Sequence, residues 1–134
     1  MDDRCKEPSP LVLAYIGDAV YELAVRRYLV GKGLVKVNDL HREAVRYVRA
    51  DTQAMLLRVM EHKLTDDESR IARRGRNAKS GHAPRGAGVV NYRQSTGFES
   101  LVGYLYLRGE EERLREILEQ AFQLVNGEAK TPDS

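Results

Sequence analysis

Ala14-Tyr-Ile-Gly-Asp-Ala-Val-Tyr-Glu22 lies inside a run, Leu11 to Leu29, that reads as one helix and is apolar on almost every side. Tyr15, Ile16, Ala19, Val20, Leu23, Ala24, Val25, Tyr28 and Leu29 leave so little polar surface that the spacing predicts a central helix buried on most sides. Against that background Asp18, Glu22 and Arg26 recur at i, i+4 and i+8 and form one polar stripe. A carboxylate on a buried helix must be paired, hydrated or bound to a cation, because an isolated buried charge costs roughly several kcal/mol. Two readings of Asp18 follow: one rung of an Asp18/Glu22/Arg26 ion-pair ladder, or a ligand.

The pattern continues as helices. Pro8-Ser9-Pro10 suits a capped entry to the first one, and Gly31-Lys-Gly33 ends it. A second helix is expected to start at Asn38 or Asp39, with His41, Ala44, Val45 and Val48 at helical spacing. Asp51-Thr52 restarts or continues it, and Ala54 to Met60 gives a broad apolar face. Thr65-Asp-Asp-Glu68 is a capping-box pattern that opens a helix carrying Arg70 to Asn77. Helix is expected again from Ser95 or Thr96 to Gly109, and from Glu110 to about Val125, with Gly127 as the stop. No strand-like alternation is present, so the fold class is all-α. Residues 1–9 and 127–134 read as tails around one folded unit, 10–126. Within it, residues 79–92 read as a flexible, glycine-rich basic loop.

At 134 residues, with 42% hydrophobic and 31% charged residues, the chain has the make-up of one soluble domain. No apolar run is free of charge for long enough to span a bilayer, and the polar N-terminus has no signal-peptide core. One cysteine, Cys5, makes no internal disulfide. These features point to the cytoplasm. The net charge of +2 is unevenly spread. Ser69 to Phe98 holds no acidic residue, but carries Arg70, Arg73, Arg74, Arg76, Lys79, Arg85 and Arg93, which leaves about −5 on the rest of the chain. A basic segment on an acidic body suits a polyanion.

Glu99 is the second carboxylate on a largely apolar helix, in Phe98-Glu-Ser-Leu-Val-Gly-Tyr-Leu-Tyr106. Local spacing also fits a capping box, Thr96-Gly-Phe-Glu99, in which Glu99 reaches back to the Thr96 amide. Gly17 adjoins Asp18 and Gly103 is one turn beyond Glu99, so the two helices could cross closely with both carboxylates in one cleft. Two oxygen ligands on rigid helices suit Mg²⁺, which keeps several waters and takes one or two carboxylates. His41, His62 and His82 are scattered and lack metal-ligand spacing, and Tyr15, Tyr21 and Tyr28 read as core or interface residues.

The Gly-Asp-Ala-Val helix resembles the signature of the ribonuclease III family, and Thr96 to Tyr106 resembles that family's second acidic motif. Arg73-Arg-Gly-Arg-Asn-Ala-Lys79 and the glycine-rich loop after it resemble one branch, Mini-ribonuclease III (Mini-III), over roughly residues 10–126. The resemblance implies a homodimeric, all-α endonuclease that cuts double-stranded RNA with Mg²⁺ and leaves a 5′ phosphate and a short 3′ overhang. For this branch it implies maturation of large-subunit (23S) ribosomal RNA ends without a separate double-stranded-RNA-binding domain. Asp18 and Glu99 match the family's motif positions and are expected to be catalytic and to bind the metal. Arg73, Arg74, Arg76, Lys79 and Arg85 are the expected phosphate contacts on the RNA, and Arg93 and Gln94 are candidates for the scissile strand, with capping or pairing at the helix start the other reading of Arg93. The chain departs from the longer family members at three places: Leu11 and Ala14 stand where they have glutamates, and Thr96 where they have an aspartate. That loss keeps open a second class, a non-catalytic RNA-binding or ribosome-associated module on the same fold.

Overall fold

The computed structural model describes residues 7–78 and 88–127. The described residues form six α-helices, α1 (Pro10–Gly31), α2 (Val37–Val48), α3 (Ala50–Met60), α4 (Asp66–Asn77), α5 (Val89–Leu107) and α6 (Glu111–Asn126), with one 3₁₀ turn at Glu61–Lys63. No strand occurs among the described residues, as the all-α expectation requires. Nor is any described helix long and apolar enough to cross a membrane.

The helix ends have local causes. Ser9 caps α1 by accepting from the Val12 amide, with Pro10 just inside the helix. The expected capping box forms at α4: Thr65 accepts from the Glu68 amide, and Glu68 accepts from that of Thr65. Gly127 closes α6 in the left-handed conformation, φ 73°. Two starts differ from the sequence reading. The second helix begins at Val37 rather than Asn38 or Asp39, with Lys36 at its N-cap. The fifth begins at Val89, six residues before Ser95, so 89–92 is helix and not loop. Its extra turns are anchored where Arg58 donates to Asn91 and where Ser95 and Thr96 donate to the Tyr92 carbonyl.

The most enclosed helix is α5, which packs on α1, α3, α4 and α6. Phe98, Leu101, Val102 and Leu105 meet Leu13, Tyr21, Val25, Leu57, Ile71 and Phe122 in one continuous core. Tyr21 stands edge-on to Phe98, ring centres 5.2 Å apart, and its hydroxyl donates to the Tyr47 carbonyl at 2.9 Å. Tyr47 in turn donates to Asn126, which donates to Tyr28. This chain of bonds joins α1, α2 and α6 and satisfies polar atoms that burial would otherwise leave costly.

The first helix departs from the sequence reading. Its inner face is buried, but Leu11, Val12, Tyr15 and Leu23 are exposed, Tyr15 by 79%. Of these, Leu23 lines an apolar groove together with Ile16, Ala19, Val20, Tyr106, Leu114 and Leu118. An all-round apolar helix therefore meets core on one side only within a single chain.

A two-carboxylate cleft between α1 and α5

The two helices that carry Asp18 and Glu99 cross in backbone contact. A Cβ placed on Gly17 would lie 1.7 Å from the Glu99 carbonyl oxygen, and one on Gly103 would lie 2.0 Å from that of Leu13. Only glycine permits this approach, so the two positions set the distance between helices as well as their crossing point. The residue after Gly17 is Asp18, and one turn before Gly103 is Glu99. The crossing thus delivers both carboxylates to one cleft.

Asp18 is exposed at the mouth and Glu99 half-buried behind it. Asp18 does not join an ion-pair ladder: Glu22 and Arg26 pair with each other at 3.3 Å, and the Asp18 carboxylate lies instead within hydrogen-bonding reach of Glu99. Burial, then the hydrogen bond and charge of Asp18, push the Glu99 carboxyl up from 4.5 to about 8. Glu99 is not a capping residue either. Thr96 lies inside α5, buried, and gives its hydroxyl proton to the Tyr92 carbonyl 3.1 Å away. The capping reading fails because the helix starts earlier than its local signals imply.

Gln53 of α3 is a third member of the cleft that the sequence reading missed. It is 2% exposed, and its Nε2 donates to the Val48 carbonyl at 2.8 Å and approaches Glu99 Oε2 at 3.5 Å. It sits within a helix otherwise read for its apolar face, Gln-Ala-Met-Leu-Leu, so a lone buried amide there was the available signal. Of the three positions where the sequence departs from the pattern it resembles, Ala14 is buried, Leu11 is exposed and the Thr96 hydroxyl is turned to the backbone. Among the described residues no third acidic, histidine or cysteine side chain joins a metal-binding group.

The basic helix α4 leans on the same turn of α5. A Cβ on Gly97 would meet the Ala72 carbonyl oxygen at 2.7 Å, and one on Gly75 would meet Ser100 Oγ at 2.4 Å. Residues 97 and 100 flank Glu99, so the arginines of α4 are tied to the carboxylate helix with little slack. Arg73 and Arg93 are exposed, with no acidic partner among the described residues, and Arg76 is half-buried. Arg74, with Arg70, is held by Glu7, whose carboxyl is kept below its ordinary range first by the bond to Arg70. Lys79, Arg85 and most of the expected loop lie outside the described residues, as do Cys5 and His82. His41 and His62 are surface residues.

The six-helix fold agrees with what the chain is similar to. The Ribonuclease III domain family model matches residues 11–110. The Mini-ribonuclease 3 of Brevibacillus brevis is 51% identical over 121 residues, covering 90% of each chain. That of Symbiobacterium thermophilum is 53% identical over 116 residues, covering 87% of this chain and 89% of its own. The crystal structure of protein FN1578 from Fusobacterium nucleatum superposes with a TM-score of 0.80 at 28% identity, over 92% of this chain and 97% of that one. The chain belongs to the ribonuclease III family, in its Mini-ribonuclease III branch.

Proposed function

We propose that this chain is a homodimeric, Mg²⁺-dependent endoribonuclease that cleaves double-stranded RNA, with the base-paired stem joining the ends of precursor large-subunit (23S) ribosomal RNA as its substrate. The observation that supports the reading is that the Gly17–Gly103 crossing brings Asp18 and Glu99 into one cleft, where burial first and Asp18 second push the Glu99 carboxyl up to about 8. Such a pair is relieved by a proton or by a cation. The donor set is hard oxygen on rigid helices, which fits Mg²⁺ and its demand for few protein ligands and several waters. Asp18 and Glu99 would hold the ion. When bound, it supplies water activation and neutralises charge on the phosphodiester in transfer.

The chain's own residues do the rest. Asp18 at the mouth meets the incoming backbone, and Glu99 behind it is kept from bulk water. Arg73, Arg76 and Arg93, with Arg74, Lys79 and Arg85, place positive charge for the phosphates of a duplex, whose shallow minor groove offers phosphates and 2′-hydroxyls for recognition by shape. The exposed apolar face of α1 suits a second copy of the chain, which would leave each helix α1 covered on both sides. The names of the relatives at 51% and 53% identity support the same activity, and a cytoplasmic site of action follows from the ribosomal substrate.

The test is cleavage of a long RNA duplex in Mg²⁺ and in EDTA. The expected result is fragments with 5′ phosphates in Mg²⁺ and none in EDTA. A protein that binds the duplex but never cuts it, in Mg²⁺ or Mn²⁺, is a binding module on this fold.

A further inference from the structure

Gln53 holds its place in a way that packing alone does not explain. Its Nε2 donates to the Val48 carbonyl, the last of α2, which has no partner within its own helix. Turned over, the amide would set its oxygen against that carbonyl, two acceptors face to face, so its orientation is fixed. The second N–H then faces Glu99 Oε2 at 3.5 Å, a long contact of the kind that tightens once a ligand draws a catalytic group into place. Spending both protons this way leaves Oε1 buried with no partner. An orphaned acceptor is destabilising, and a leucine or methionine would fill the space without one. The helix start that carries Gln53 is itself braced, with Arg49 gripping both oxygens of Asp51 at 2.8 Å each.

We propose that Gln53 is a positioning residue for the Asp18–Glu99 site: its amide, locked to the end of α2, holds one oxygen of Glu99 so that the other faces Asp18 and a divalent cation. The inference rests on the reading of that site as a metal site. Glu99 is then fixed at both ends, its backbone carbonyl against Gly17 and its carboxylate against Gln53. A smaller ligand set than that of longer family members is helped when one ligand, Glu99, does not have to be ordered as the ion arrives.

The test is Mn²⁺ binding, read from the electron paramagnetic resonance signal of the free ion, with thermal unfolding in parallel. Wild type, Asp18→Asn, Gln53→Met, Glu99→Gln and the Gln53→Met/Glu99→Gln double variant are compared. Asp18→Asn is expected to abolish tight binding. Gln53→Met should weaken it by roughly 10- to 100-fold, as removal of a ligand's supporting partner does, while metal-free duplex affinity holds. In the Glu99→Gln background the same change should add little, because its target is gone. Near-wild-type Mn²⁺ binding by Gln53→Met, with Asp18→Asn defective, would overturn the positioning role and leave the metal site standing. Undiminished binding by Asp18→Asn would overturn both. Should Gln53→Met fail to fold, the wild type still decides: its Gln53 side-chain amide NMR signals should move on Mg²⁺ addition and stay still in Asp18→Asn. Signals that ignore a bound ion would overturn the proposal.

Discussion

Gly17 and Gly103 meet backbone to backbone, such that a Cβ on Gly17 would come within 2.8 Å of the Gly103 nitrogen and one on Gly103 within 3.0 Å of the Gly17 nitrogen. The harder obstacles are the carbonyl oxygens of Glu99 and Leu13, which are main chain and cannot rotate away. Gly17→Ala and Gly103→Ala should therefore each cost about 3 kcal/mol or more, the upper end for overpacking. Chemical denaturation measures it. A loss below about 1 kcal/mol would mean the helices part easily, and the crossing would not be what sets the cleft.

Glu99 makes stability depend on pH in an unusual direction. Below about pH 4.5 folded and unfolded chains both carry its proton; between there and about pH 8 the fold retains a proton that the unfolded chain has released. Without metal, stability should fall as pH rises through that window and level off above it. Glu99→Gln should remove this part of the slope. Mg²⁺ needs the ionised form, so its apparent affinity should climb with pH up to about 8 and release protons on binding. Calorimetry in buffers of different ionisation enthalpy counts those protons.

Glu68 gives the opposite sign. Burial pushes its carboxyl up, but the two bonds from Arg113 at 2.9 Å and the Thr65 amide outweigh that and hold it below 4.5. Its contribution is present above about pH 4.5 and is lost as the solution becomes more acidic. Arg113→Met strands a carboxylate that is only 4% exposed, and should cost about 3 kcal/mol at neutral pH. The loss should shrink toward pH 4, where the stranded group takes up a proton.

How much of this was legible in the residues depends on the range of the signal. Helix periodicity and the Thr65 box are local, and both located their elements. Asp18 and Glu99 stood out because a carboxylate on an apolar helix needs an explanation. The start of α5 was misplaced because Ser95 and Thr96 look like caps; their hydroxyls instead bond the Tyr92 carbonyl one turn back inside a helix that Val89 and Val90 begin, exposed. Gln53 was passed over because a lone amide in an apolar helix does not name its partners, Val48 and Glu99, and the second is 46 positions away. The exposed side of α1 was misread because apolar periodicity does not say which side the rest of the same chain covers: Tyr15 and Leu23 belong to the apolar pattern, yet both are exposed.

That half-covered helix yields a prediction of its own. Leu23 is 60% exposed on the apolar face beside Ile16 and Tyr106. Leu23→Glu should leave the fold intact, since more than half of the residue is exposed, but should convert a dimer into a monomer in sedimentation equilibrium. A wild-type chain that is monomeric at micromolar concentration would remove this face from the interface.

Asp18 and Glu99 are expected to act together in breaking the phosphodiester. Single-turnover cleavage of one defined duplex by wild type, Asp18→Asn, Glu99→Gln and the double variant tests it most directly, with duplex binding measured separately in EDTA. Each single variant should lose at least about a thousandfold in cleavage rate, and the double variant little more, because groups that work as a unit are not additive. Duplex affinity should stay within a few-fold of wild type. Either variant cutting at close to the wild-type rate would mean that the two carboxylates do not form one catalytic unit.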